Sequence, residues 1–106
     1  MKRVCFCLQV KKHRLEEYKQ RHESVWPEML DALRESGWHN YSLFLRPDGL
    51  LIGYVETPDF ARALALMAET DVNRRWQTQM KDFFESPTGL AADEQMQPIP
   101  EVFHLD

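Results

Sequence analysis

A proline at position 27 governs how the first third of this chain can fold. It lies within the stretch "EYKQRHESVWPEML", residues 17 to 30, where Tyr18, His22 and Trp26 recur every four residues and so would line one side of a helix. A helix does not run unbroken into a proline, and the residue before one is biased away from the α region. The break is therefore expected between about His22 and Trp26, with a second helix starting near Pro27, which is well tolerated in a first turn. That second helix is expected to bury Met29, Leu30 and Leu33 and to end at Gly37. A titratable ring thus stands between two large aromatics at a built-in bend.

The flanking segments have other periods. "RVCFCLQV" alternates Val4, Phe6, Leu8 and Val10 with Arg3, Cys5, Cys7 and Gln9, the pattern of a half-buried strand whose even face meets a core. "WHNYSLFL" and "LLIGYVE" flank the turn residues "RPDG" and predict a hairpin, in which Gly53 marks a bulge or a close backbone approach. Thr57 and Pro58 suit an N-cap and first helical position, ahead of a buried stripe of Phe60, Leu64 and Met67. "TDVNRRW" is a fresh helix start, capped by Thr70 or Asp71, that buries Val72, Trp76, Met80 and Phe83. Residues 85 to 100 hold three prolines and predict a loop, of a length uncommon unless it covers a site, swaps between subunits or is disordered. "EVFHL" predicts a short closing strand. The order βαββαβ predicts one α+β domain over residues 1–106, ferredoxin-like, with a four-stranded antiparallel sheet and helices on one face. Its second face would be bare, and pairing sheet to sheet with another copy would hide it and enclose a cavity.

Composition narrows the partners. A 106-residue chain with 43% hydrophobic residues supports one core. Seventeen acidic against thirteen basic residues give a net charge of -4, and no basic cluster exists beyond "KKHR" at 11 to 14, which argues against nucleic acid and anionic membrane as partners. No apolar run reaches the ~18 residues of a membrane span, and "MKRVCFCLQV" turns polar before a signal-peptide core forms, so a cytoplasmic protein is expected. Cys5 and Cys7 on one strand face would sit roughly 6 to 7 Å apart, unsuited to a relaxed disulfide. They are expected to be reduced, packed thiols. The histidines at 13, 22, 39 and 104 show no zinc-ligand spacing, and no metal is indicated.

His22 is the strongest candidate for chemistry, because imidazole exchanges a proton near neutrality. Tyr18, Tyr41, Trp26 and Trp76 offer flat apolar faces for sugar C–H groups, with phenol and indole protons for hydroxyls. Core packing is the competing reading, favoured for Trp26 and Trp38. Arg74 and Arg75 read as a solvated helix surface, and His39 and His104 receive no role. Glycine-rich phosphate loops, Ser-His-Asp contexts and cysteine nucleophile motifs are absent from the sequence. The enzyme reading that survives is cofactor-free acid/base chemistry, with the base open among water, a tyrosine, Glu28 and Asp31.

Five short motifs in the same order, "EEYKQRH" with "WPE", "HNY" at 39 to 41, "TDVNRRW" at 70 to 76 and the terminal "EVFHL", resemble the L-rhamnose mutarotase family over essentially the whole chain. The resemblance implies a ferredoxin-like domain forming a dimeric α+β barrel that interconverts the α and β anomers of L-rhamnose without metal or organic cofactor. It implies that His22 is the proton donor and that Tyr18, Tyr41 and Trp76 contact the sugar. Where the family carries a second tryptophan this chain has Gln77, an amide that binds hydroxyls but does not stack. Two other readings stand beside it: an oxygenase of the dimeric α+β barrel type, cofactor-free or haem-dependent, and a non-catalytic ligand-binding or dimerisation module.

Overall fold

The computed structural model describes residues 1–85 and 92–106. In chain order the elements are β1 (Lys2–Gln9), α1 (Leu15–Glu23), α2 (Pro27–Glu35), β2 (His39–Leu45), β3 (Leu50–Thr57), α3 (Phe60–Ala68) and α4 (Asp71–Met80), with 3-10 turns at Lys12–Arg14, Lys81–Phe83 and Ala92–Gln95. The strands form an antiparallel sheet in the order β1-β3-β2, and the architecture is α+β as expected. Among the described residues no helix is long and apolar enough to cross a membrane.

The break at Pro27 falls where the sequence puts it. Trp26 is extended and Pro27 takes the first position of α2. The same helix ends in a Schellman motif: Trp38 N–H donates to the Leu33 carbonyl at 2.9 Å and Gly37 N–H to the Arg34 carbonyl at 3.2 Å, with Gly37 at φ +90°. That left-handed residue costs a glycine nothing. Along the sheet, Val4, Phe6, Leu8 and Val10 of β1 and its extension are buried, as are Leu51 and Val55 of β3. Met29, Phe60, Met67, Val72, Trp76, Met80 and Phe83 are among the residues that pack against them in the core.

Gly53 serves a close approach. A Cβ there would lie 2.3 Å from Cζ of Phe6, whose fully buried ring packs at 6.1 Å from Phe60 and 6.4 Å from Tyr41. The bulge sits on β2 instead: His39 pairs with Glu56 and Ser42 with Tyr54, so three residue steps on one strand match two on the other. Asn40, at φ +46°, absorbs the irregularity, and asparagine tolerates this conformation better than most residues.

Several expectations need correction. Cys7 is exposed and Cys5 only half-buried, so the two are not packed thiols, and Leu33 is only partly buried. Leu30 is exposed at 37%; it faces the rim of a cavity described below. Leu64 of the α3 stripe is only partly buried, while Ala63 is buried. Thr57 does not cap α3, because pairing with Lys2 draws it into β3. The cap is Asp59, whose Oδ1 accepts the Arg62 N–H at 3.1 Å. "EVFHL" forms no strand among the described residues. Beside β1, where a fourth strand would lie, Phe84 bridges Val10 and Ile99 bridges Cys5 as isolated pairs. Ile99 donates to the Cys5 carbonyl at 2.7 Å, and the pairing stays isolated: the Gln97 N–H, the next donor on that side, goes to the Gln95 carbonyl at 2.9 Å instead.

Substituting Gly53→Ala is expected to cost about 1 to 3 kcal/mol through overpacking against Phe6, despite the better backbone propensity of alanine. Chemical denaturation of both proteins checks this; equal midpoints would mean that the ring moves aside freely.

Candidate active site

A cavity of about 340 Å³ lies between the helices and the inner face of the sheet. Leu8, Leu43 and Leu51 form its floor, and Val25 in the α1–α2 break lines it with His22 on one side and Met29 on the other. The sequence reading put the enclosure between two facing sheets. This cavity, by contrast, is lined by residues of one chain.

His22 occupies the last turn of α1. Its ring stacks on Tyr18 at 4.3 Å between centroids and meets the edge of Trp76 at 5.6 Å and 88°. Nδ1 donates to the Tyr18 carbonyl oxygen at 2.9 Å. A carbonyl oxygen only accepts, so this nitrogen carries hydrogen, and in the neutral ring Nε2 holds the free lone pair. Burial pushes the imidazole pKa below its ordinary 6.5, and the bond to Tyr18 opposes that shift in part. The resting ring is therefore neutral at pH 7, with a basic nitrogen unoccupied.

Two phenols stand nearby. Tyr18 is buried on α1 and Tyr41 is half-buried on β2, held against Trp38 at 4.9 Å. Burial raises both pKa values well above the usual phenol range, and for Tyr18 the neighbouring Tyr41 adds to the effect. Both stay protonated. Neither hydroxyl meets a hydrogen-bond partner among the described residues, although both side chains line the cavity. A hydroxylated ligand in the cavity would supply each of them with a partner.

Trp76 is buried on α4 and braced by the half-buried Trp26 at 5.1 Å and 86°. Trp38 is buried, and its indole donates to the Ala63 carbonyl at 3.2 Å, which fits the core role expected of it. Gln77, one residue after Trp76, also lines the cavity. All five residues singled out in the sequence, Tyr18, His22, Tyr41, Trp76 and Gln77, thus converge. The carboxylates considered as bases do not: Glu28 is engaged by Arg75 at 3.2 Å and Asp31 by Arg34 at 3.4 Å, both on the surface. Sequence reasoning missed Asn73 and Asp93, which line the same cavity. Asn73 was discoverable, since it shares a helix face with Trp76 and Gln77 at three- and four-residue spacing; Asp93 lies in a segment without periodicity. Among the described residues no three His, Cys, Asp or Glu side chains converge as metal ligands would.

A small α+β domain that sets a neutral imidazole among protonated phenols and an indole has the chemistry an acid/base enzyme for a small hydroxylated substrate needs. A family model described as L-rhamnose mutarotase matches residues 3–105, and the chain belongs to that family. The L-rhamnose mutarotase of Bacillus subtilis (strain 168) is 38% identical over 110 residues, and that of Oceanobacillus iheyensis 37% over 110, each alignment covering both chains in full. The enzyme of Pectobacterium atrosepticum is 39% identical over 108 residues, again over the whole of both. The crystal structure of an L-rhamnose mutarotase from Formosa agariphila superposes with a TM-score of 0.80 across all of both chains at 23% identity, so the fold is shared.

The lowered pKa of His22 carries a stability signature. Between the lowered folded value and the unfolded value of ~6.5, the unfolded chain binds more protons. Stability is therefore expected to fall as pH drops through this window. Denaturation of the wild type and of His22→Gln at a series of pH values checks it: the variant should lose this part of the slope, and identical slopes would mean that the ring titrates normally.

Proposed function

We propose that this protein interconverts the α and β anomers of L-rhamnose, with His22 moving the protons and no cofactor in the reaction. The observation that carries the reading is the His22 ring in a family-matched chain: neutral, fixed by main chain, and facing a cavity with two phenols that meet no partner among the described residues. The bare Nε2 takes the proton of the anomeric hydroxyl. The imidazolium so formed gives a proton to the ring oxygen as the C1–O5 bond breaks and C1 becomes an aldehyde. Rotation about C1–C2 turns the other aldehyde face toward the hydroxyl, and closure runs the same transfers backwards. Proton count and charge balance, and no covalent intermediate forms. Trp76 offers the sugar an apolar face, while Tyr18 and Tyr41 donate to its hydroxyls. The oxygenase reading rested on fold likeness alone, and whole-chain membership of a mutarotase family supersedes it.

The same reading extends to assembly and place. The outer face of the sheet carries Phe44, 59% exposed, with Ile52 and Tyr54 half-buried, and the tail presents Val102, Phe103 and Leu105 largely exposed. This apolar surface supports a homodimer built on the outer face, and the same reading places the protein in the cytoplasm.

Saturation-difference NMR on equilibrated L-rhamnose tests the activity. The wild type is expected to accelerate anomer exchange, and His22→Gln to lose roughly 10²-fold or more in kcat/KM while still binding the sugar. Exchange no faster than in buffer would sink the proposal. The pH profile tests the order of transfers: kcat/KM should rise through the lowered His22 pKa and level off by neutrality, whereas a decline over that range would make the imidazolium the resting form. Phe44→Glu is expected to halve the mass in sedimentation equilibrium; a wild-type monomer would overturn the dimer.

A further inference from the structure

The cavity wall is uneven in chemistry. Most of it is hydrocarbon, from residues such as Val25, Met29, Leu33 and Leu64, but one edge is a continuous polar chain. On α4, Gln77 Nε2 donates to Asn73 Oδ1 at 3.3 Å. Asn73 Nδ2 in turn donates to Asp93 Oδ2 at 3.1 Å. Both ends of the Asn73 amide are thereby used, in a side chain only 4% exposed, so its orientation is fixed and it in turn fixes its two neighbours. Asp93, in the 3-10 turn Ala92–Gln95, is the single carboxylate among the described residues that line the cavity.

We propose that Asp93 is a specificity-determining residue, held by Asn73 so that its carboxylate accepts a hydrogen bond from a ring hydroxyl of the sugar while Gln77 meets the adjacent hydroxyl. This inference rests on the mutarotase reading above and names the polar contacts of the same site. The chemistry favours it. A 6-deoxy hexose has an edge rich in hydroxyls and one apolar corner, which matches a wall that is polar along α4 and hydrocarbon elsewhere. A charge-assisted acceptor also rejects an analogue lacking the hydroxyl more strongly than an apolar pocket rejects an extra one. Asn73 acts through Asp93 and Gln77 and is a positioning residue.

The test is a cycle of variant against sugar, with anomer exchange followed by NMR on full-length protein. Wild type acting on L-rhamnose is the control: no acceleration there counts against the mutarotase reading itself. Given that activity, Asp93→Asn is expected to raise KM roughly 10- to 100-fold with kcat changed little. Deoxy analogues of L-rhamnose at positions 2, 3 and 4 locate the contact. One of them should lose affinity with the wild type and lose no further affinity with Asp93→Asn, a non-additivity that a merely structural effect would not give. Gln77→Leu is expected to show the same behaviour with a neighbouring analogue. An unchanged KM in Asp93→Asn, or additive losses with every analogue, overturns the proposal. Turnover that collapses by roughly 10²-fold or more at constant KM would also overturn it, by making Asp93 a proton-transfer group. If Asp93→Asn folds poorly by circular dichroism, Asp93→Glu replaces it: full additivity with every analogue would then count against the assignment, and one non-additive analogue for it.

Discussion

The ring of Phe6 occupies the space where any side chain on residue 53 would begin, and the rest of the inner sheet face is arranged around that contact. β1 and β3 are paired at this point, Phe6 opposite Gly53, so the ring lies over its neighbour strand instead of standing upright. Phe60 stacks on it from the helix layer, and Tyr41 leans on it from β2. Full burial of such a ring is worth about 1.5 to 3 kcal/mol. Its larger consequence is geometric, because it sets the backing against which Tyr41, and through it Trp38, is held beside the cavity.

The break at Pro27 plays the complementary part in the helix layer. A single straight helix through residues 15 to 35 would carry Tyr18, His22 and Trp26 along one stripe. The interruption separates them: Tyr18 and His22 stay together on α1, while Trp26 turns to brace Trp76 on α4. The aromatic set that reads as a stripe in sequence becomes a partial ring around a space. The imidazole enters that ring with one nitrogen already committed, and burial keeps it uncharged.

Features written in single residues with one dominant physical effect were legible in advance. Alternation in β1, the stop at Pro27, the Gly37 terminus and the Thr70 cap, which accepts the Asn73 N–H at 3.2 Å, all follow from local sterics or hydrogen bonding. Legibility failed where two local rules competed. Thr57 suits a helix cap and a strand end equally, and a partner strand far away in sequence decided between them. The tail "EVFHL" has strand composition, yet pairing beside β1 stops at the single Ile99–Cys5 bridge upstream of it. The family motifs brought His22 and its neighbours into view, whereas the polar chain from Gln77 to Asp93 depends on a turn remote from α4, and no local pattern announces it.

The partner of His22 Nδ1 is a main-chain oxygen, and this bears on how such an enzyme can drift or be redesigned. No codon change deletes a peptide carbonyl, so the tautomer is inherited with the helix itself and survives any exchange of side chain at position 18. Where another fold entrusts this duty to an aspartate that one mutation abolishes, here the protonation pattern is as robust as the secondary structure, leaving selection free to vary the surroundings of the ring.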